Sequence, residues 1–330
     1  MKGQYSVIIE NRRVRYDFTI RRNITIIRGD SASGKTQLIE MLTAYERGNG
    51  DSGVTLACEK KCAVLVETRW EENLRTLHDS IVFIDEGAVF VTSDLFAKTV
   101  SATDNYYVII TRNALPNLPY SVEEIYGIRT SARYSGLKQT YNEFYHLYGN
   151  LGTERLREVE CVIVEDSNAG YSFFDSVLSE GCDVVSAGGK SSIPEAVRNR
   201  AEDRTVLVVA DGAAFGSEME RMDRLMHAGR RIAMYLPESF EWIVLSSGLI
   251  DDAELADILQ RPQDHIESET YFSWEQFFTA LLVKKTDGTY LKYTKSSLNP
   301  VYLQEKERGA LLDVMKILNP MFQKKHPPAS

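Results

Sequence analysis

The chain has 330 residues, 43% hydrophobic and 26% charged, with a formal net charge of −9 and a pI of about 5.3. That length suffices for two domains, the composition is that of an ordinary globular protein, and the acidic balance argues against bulk electrostatic binding of nucleic acid. No apolar run is long enough to span a bilayer, and residues 1–5 lack a signal peptide's apolar core, so no membrane partner and a cytoplasmic location are expected. Cys58, Cys62, Cys161 and Cys182 form no disulfide framework and are read as reduced structural thiols. Cys58 and Cys62 have the spacing of half a metal site, but the other cysteines and the 5 histidines supply no second half.

Residues 1–28 alternate as strands do: Tyr5–Ile9, a turn near Asn11, then Val14–Ile20. Arg12, Arg13, Arg15, Arg21, Arg22 and Arg28 make this stretch basic, which reads as a solvated hairpin surface. Ile24–Ile27 is a buried-strand run, and Gln37–Leu42 starts a helix. Between them, Gly29-Asp30-Ser31-Ala32-Ser33-Gly34-Lys35-Thr36 matches G-x-x-x-x-G-K-[ST], the phosphate-binding loop. Glycines there let successive backbone N–H groups face a phosphate, and the helix start adds the positive end of its dipole. Lys35 is expected to reach the outer phosphates of ATP, and Thr36 to offer its hydroxyl to Mg²⁺.

Ile81–Ile84 is a second apolar run and ends in Asp85-Glu86, the pattern of a Walker B strand. Adjacent acids at a half-buried strand end are costly unless a divalent cation relieves them. Asp85 is therefore expected to hold Mg²⁺, and Glu86 to orient or deprotonate the attacking water. Tyr106–Ile110 is a further buried strand; Thr111 at its end is a candidate γ-phosphate sensor, with a plain strand end as the alternative. Thr140–Tyr148 is tyrosine-rich and reads as an edge strand packed on the core.

The hairpin followed by the phosphate loop resembles ABC-type ATPases, including their OLD-nuclease branch. Only about fifty residues separate the loop from Asp85, and no LSGGQ signature lies between them, so the resemblance is to a reduced form.

Gly149–Gly152 marks a boundary, giving a nucleotide-binding domain over 1–150, a second domain over 151–265 and an α-helical/β tail over 266–330. The second domain alternates strand and helix: Cys161–Val164, 171–180, Asp183–Ser186, 191–201, Thr205–Ala210, 217–228 and Arg231–Leu236. That pattern predicts a parallel sheet with ligands at the carboxyl ends of strands, where Glu165 and Asp211 fall. The fold class is thus α/β, with two successive α/β domains.

Three pieces of the second domain, Val164-Glu165, Gly188–Ile193 and Asp211–Gly216, resemble the Toprim domain of OLD-type nucleases. The resemblance covers roughly residues 158–260 and implies Mg²⁺ bound by Glu165 and Asp211 for phosphodiester chemistry. Two family acids are replaced, by Ala169 and Ala213; Asp166, Glu218 and Glu220 are the candidate substitutes. The tail is read as carrying no chemistry.

These readings imply an ATP- and Mg²⁺-binding protein, with Lys35 and Glu86 carrying hydrolysis, coupled to a degenerate Toprim-like domain in nucleic-acid processing or anti-phage and mobile-element biology. The expected partners are a nucleoside triphosphate, DNA or RNA, a partner protein and further copies of the chain. The alternatives are a nucleotide-gated scaffold or sensor, an active Mg²⁺-dependent nuclease, and a small-molecule P-loop kinase; Asp85-Glu86 suits water activation better than the last.

Overall fold

The computed structural model describes residues 1–29, 34–48, 51–131 and 139–322. The chain divides into two compact units, Met1–Leu147 with Arg261–Ser273, and Tyr148–Gln260 with Trp274–Ser330. Both are α/β: the first holds a mixed nine-stranded sheet and the second a four-stranded sheet. The segment 266–330, set apart on sequence, is therefore divided between them.

In the first unit, β1 (Tyr5–Glu10) and β2 (Val14–Ile20) form an antiparallel hairpin with Tyr5 opposite Ile20. Their alternation sends Val7, Ile9, Tyr16, Phe18 and Ile20 into the core. β3 (Ile24–Ile27) is buried throughout. α1 (Lys35–Arg47) buries Leu38, Ile39, Met41 and Leu42, and full burial of such side chains contributes about 1.5–3 kcal/mol each. β4 (Thr55–Ala57), β5 (Lys61–Leu65), α2 (Trp70–Leu74) and β6 (Ser80–Ile84) follow. α3 (Asp94–Val100) starts at Ser93, whose hydroxyl accepts from the Phe96 N–H, and leads to β7 (Tyr106–Ile110), β8 (Ile125–Thr130) and β9 (Thr140–His146).

The sheet order is β4-β1-β2-β9-β8-β3-β7-β6-β5. The run β8-β3-β7-β6-β5 is parallel. Its middle strands β3, β6 and β7 are buried at every residue, as strands covered on both faces must be. Placing β7 between β3 and β6 sets the ends of all three side by side. β9 departs from the sequence expectation. It is not an edge: it pairs antiparallel with β8 and parallel with β2, and Phe144 stacks on Phe18 with ring centroids 4.1 Å apart. The 261–273 segment is bound to this unit by Gly3 N–H to Gln263 O (2.6 Å) and by Asn23 Nδ2 to the carbonyls of Ser268 and Tyr271 (3.2 and 3.1 Å).

The second unit runs β10 (Cys161–Val164), α4 (Ala169–Leu178), β11 (Asp183–Ser186), α5 (Ile193–Arg198), β12 (Val206–Val209), α6 (Met219–His227) and β13 (Ile232–Tyr235). Its sheet, ordered β11-β10-β12-β13, is parallel at every pairing. Among the described residues five further helices complete it: α7 (Phe240–Ser246), α8 (Ala253–Gln260), α9 (Trp274–Thr286), α10 (Glu305–Val314) and α11 (Asn319–Phe322), while α4 packs against the sheet. α4 buries Phe173, Phe174, Val177 and Leu178, the helical spacing visible in sequence. Beyond residue 273, the β structure among the described residues is an isolated bridge, Thr294 to Ser297. No helix among the described residues is long and apolar enough to cross a membrane.

Candidate functional site

Two strand-end sites emerge, one in each unit. In the first unit, Asp30, Ser31, Ala32 and Ser33 lie outside the described residues; Gly29 and Gly34 flank them with φ of 137° and 89°. Gly34 is doubly constrained. A side chain there would be strained at that φ, and its Cβ would meet the Tyr16 hydroxyl at 2.8 Å. The Tyr16 hydroxyl instead donates to the Gly34 carbonyl at 2.8 Å.

Lys35 is the first residue of α1 and is 5% exposed. A buried ammonium needs partners. Its Nζ donates to the Gly29 carbonyl and lies 3.8 Å from Glu86 Oε2. Glu86 follows β6 and is also ion-paired with Arg112 at the end of β7. Asp85, half-buried beside it, accepts the Glu86 N–H at 2.7 Å. Thr36 is exposed in the first turn of α1. The hydroxyl and carboxylate of Thr36 and Asp85 are hard oxygen donors, a set that fits Mg²⁺.

Thr111, the candidate sensor, is buried. Its hydroxyl accepts the Asn113 N–H at 3.0 Å and its own N–H donates to Ile27 O at 3.1 Å. These bonds serve the loop after β7. The neighbouring Arg112 is the side chain that reaches Glu86, and sequence reasoning missed it. Its one signal was its position at the end of a buried strand next to Thr111.

In the second unit, β10 and β12 are adjacent, so their ends bring Glu165 and Asp211 together. The Asp211 N–H donates to Glu165 Oε2 at 3.1 Å. The turn after Asp211 is fixed by close approach: a Cβ on Gly212 would stand 2.4 Å from the Leu236 carbonyl, and its N–H donates to Pro237 O at 2.6 Å. Desolvation pushes the Glu165 carboxyl up to about 7, with the Glu275 carboxylate adding to the rise. Desolvation, then Glu275, Glu165 and Glu241, raise Asp211 well above the usual carboxylate range.

Other side chains complete this cluster. Lys190 donates to Ala214 O at 2.8 Å, and burial lowers its pKa. Lys295 pairs with Glu275 at 2.6 Å, and the Tyr293 hydroxyl donates to Glu241 at 2.9 Å. Sequence reasoning missed Glu241, Glu275, Tyr293 and Lys295; three of them lie in the segment read as devoid of chemistry. The proposed substitute acids are committed elsewhere. Asp166 accepts the N–H groups of Ser167, Asn168 and Gly170 at 2.7–3.0 Å, closing the turn into α4. Glu218 pairs with Arg221 at 3.0 Å, and Glu220 with Arg224.

Among the described residues, no group of three or more His, Cys, Asp or Glu side chains is gathered to hold a metal ion. At Glu165 and Asp211 the fit to Mg²⁺ is poor: both carboxyls are pushed toward their protonated forms, and a hard cation binds the ionised form. Comparison with protein-family models and with curated proteins finds no match to this chain.

Proposed function

We propose that the chain binds ATP at the first site and hydrolyses it, and that the second unit is a degenerate Toprim-like domain that does not cut nucleic acid. The observation that carries the reading is the meeting of Lys35, Glu86 and Arg112 where β3, β6 and β7 end. Lys35, at the positive end of α1, is set to face the outer phosphates. Thr36 and Asp85 would hold Mg²⁺, which when bound neutralises phosphate charge. Glu86 takes the water's proton or orients the water, and its ion pairs with Lys35 and Arg112 hold it in place for that task. Arg112 can exchange Glu86 for a phosphate oxygen.

The same grip supports a second reading, a nucleotide-gated scaffold with slow turnover, since a side chain engaged by two cations must let go of one before it can turn to a water. The OLD-like resemblance and the setting in nucleic-acid processing or anti-phage biology belong to the proposal. Phosphate release from ATP by the full chain, with and without DNA, tests it. Sustained turnover supports the hydrolase; ATP binding without turnover favours the scaffold; no ATP binding ends both. Plasmid cleavage that depends on Asp211 would overturn the non-catalytic role of the second unit.

A further inference from the structure

In the first unit, away from the residues assigned to ATP, β4 leads through Cys58-Glu59-Lys60 into β5. Cys58 is half-buried and Cys62 buried. Both line an open cavity of about 700 Å³ that is walled on another side by Tyr45 and Glu46 from the last turn of α1. The backbone of one residue bridges the two sulfurs: Lys60 N–H donates to Cys58 Sγ at 3.4 Å, and the Cys62 thiol donates to Lys60 O at 3.9 Å. Lys60 is itself held by an ion pair with Asp79 and lies over the Tyr5 ring at 5.2 Å. Val64 N–H donates to Glu46 at 3.3 Å, tying β5 to α1.

We propose that Cys58 and Cys62 form a dithiol redox site, which a low-molecular-weight disulfide oxidises to a reversible Cys58–Cys62 disulfide beside the last turn of α1. The cavity gives a small disulfide access to Cys58. Cys58 is the attacking sulfur. The neighbouring Cys62 side chain, and then the Lys60 N–H, lower its pKa to about 7, where thiolate is abundant and still nucleophilic. Its sulfur bonds to one sulfur of the small disulfide, whose S–S bond breaks, and one small thiolate leaves. Cys62 resolves the mixed disulfide. Cys58 is the largest cause raising its pKa, and capping Cys58 removes that thiolate. Its proton passes to the departing small thiolate as its sulfur bonds to Cys58 and the mixed S–S bond breaks. In sum two protein thiols become a disulfide, and the small disulfide becomes two thiols. In a reducing compartment a disulfide, where one forms, is usually transient and either catalytic or redox-sensing.

The test exposes the full chain to oxidised glutathione, quenches with acid, alkylates the remaining thiols and maps the peptides by mass spectrometry. The expected wild-type product is a peptide pair containing Cys58 and Cys62 that has lost two hydrogens, with Cys161 and Cys182 alkylated. Cys62→Ser should stop at glutathione on Cys58. Cys58→Ser should slow modification of Cys62 at least tenfold. Persistent glutathione on wild-type Cys58, faster reaction at Cys182, or no reaction at Cys58 would each overturn the proposal; the wild-type arm needs no variant to fold.

Discussion

At the end of β6, Glu86 stands between the Lys35 ammonium and the Arg112 guanidinium. At the ends of β10 and β12, Glu165 and Asp211 instead face Glu275 and Glu241, and the nearby lysines are spent: Lys190 on a backbone carbonyl, Lys295 on Glu275. Both places are strand ends of parallel sheet, where ligands gather. The difference lies in the sign of what surrounds the acids. The first environment sets a carboxylate between two cationic partners. The second drives its carboxyls toward the neutral form, which disfavours a bound cation. An acid at a strand end is thus not enough to define a site; its neighbours decide its chemistry.

The comparison can be broken most sharply at Glu86. Glu86→Gln keeps the shape and removes the base. Hydrolysis should fall by about a hundredfold or more while nucleotide stays bound, measured by phosphate release alongside fluorescent-ATP binding. Unchanged turnover would remove Glu86 from the chemistry.

At the second site the expected effect is on stability. Glu165 rises from its ordinary 4.5 to about 7. In that interval the folded chain holds a proton that the unfolded chain has released, so stability falls as pH rises through the window, and the whole loss is present above it. Glu165→Gln should flatten that fall. Relative to wild type it should gain about 1–3 kcal/mol between pH 4 and pH 8, read from denaturant unfolding at each pH. A parallel pH profile in both proteins would contradict the buried-acid account.

Gly34→Ala should cost about 1–2 kcal/mol from backbone strain alone, since φ is 89°. Displacement of the Tyr16 hydroxyl adds to it. The midpoint of thermal unfolding should drop by several degrees, and an unchanged midpoint would show that the turn relaxes freely. Arg112→Ala should have the smallest effect on stability, below about 1 kcal/mol, because exposed ion pairs contribute little. It should change turnover severalfold by releasing Glu86, and identical turnover would make Arg112 a bystander.

Much of this was legible in sequence because it is local. Ile24–Ile27, Ile81–Ile84 and Tyr106–Ile110 are continuous apolar runs, the mark of strands covered on both faces. The phosphate-loop pattern and Asp85-Glu86 each lie within a few residues. What was hidden depends on distant pairing. β9 looked like an edge because its partners, β2 and β8, include one from the opposite end of the unit's sequence. Glu241, Glu275, Tyr293 and Lys295 carry no motif and meet Glu165 and Asp211 only through the packing of α7 and the residues after 273. Asp166, Glu218 and Glu220 were plausible by position, yet hydrogen bonds to a turn and pairing with arginines commit them elsewhere.

The most direct test of the central claim is calorimetric titration of the full chain with Mg²⁺–ATP, comparing wild type with Lys35→Ala. Lys35 is buried and directed at Gly29 and Glu86, where its charge contact with phosphate would be strong. The account predicts saturable binding by the wild type and an affinity at least about tenfold weaker in the variant. Equal affinities, or no binding by the wild-type chain, would contradict it.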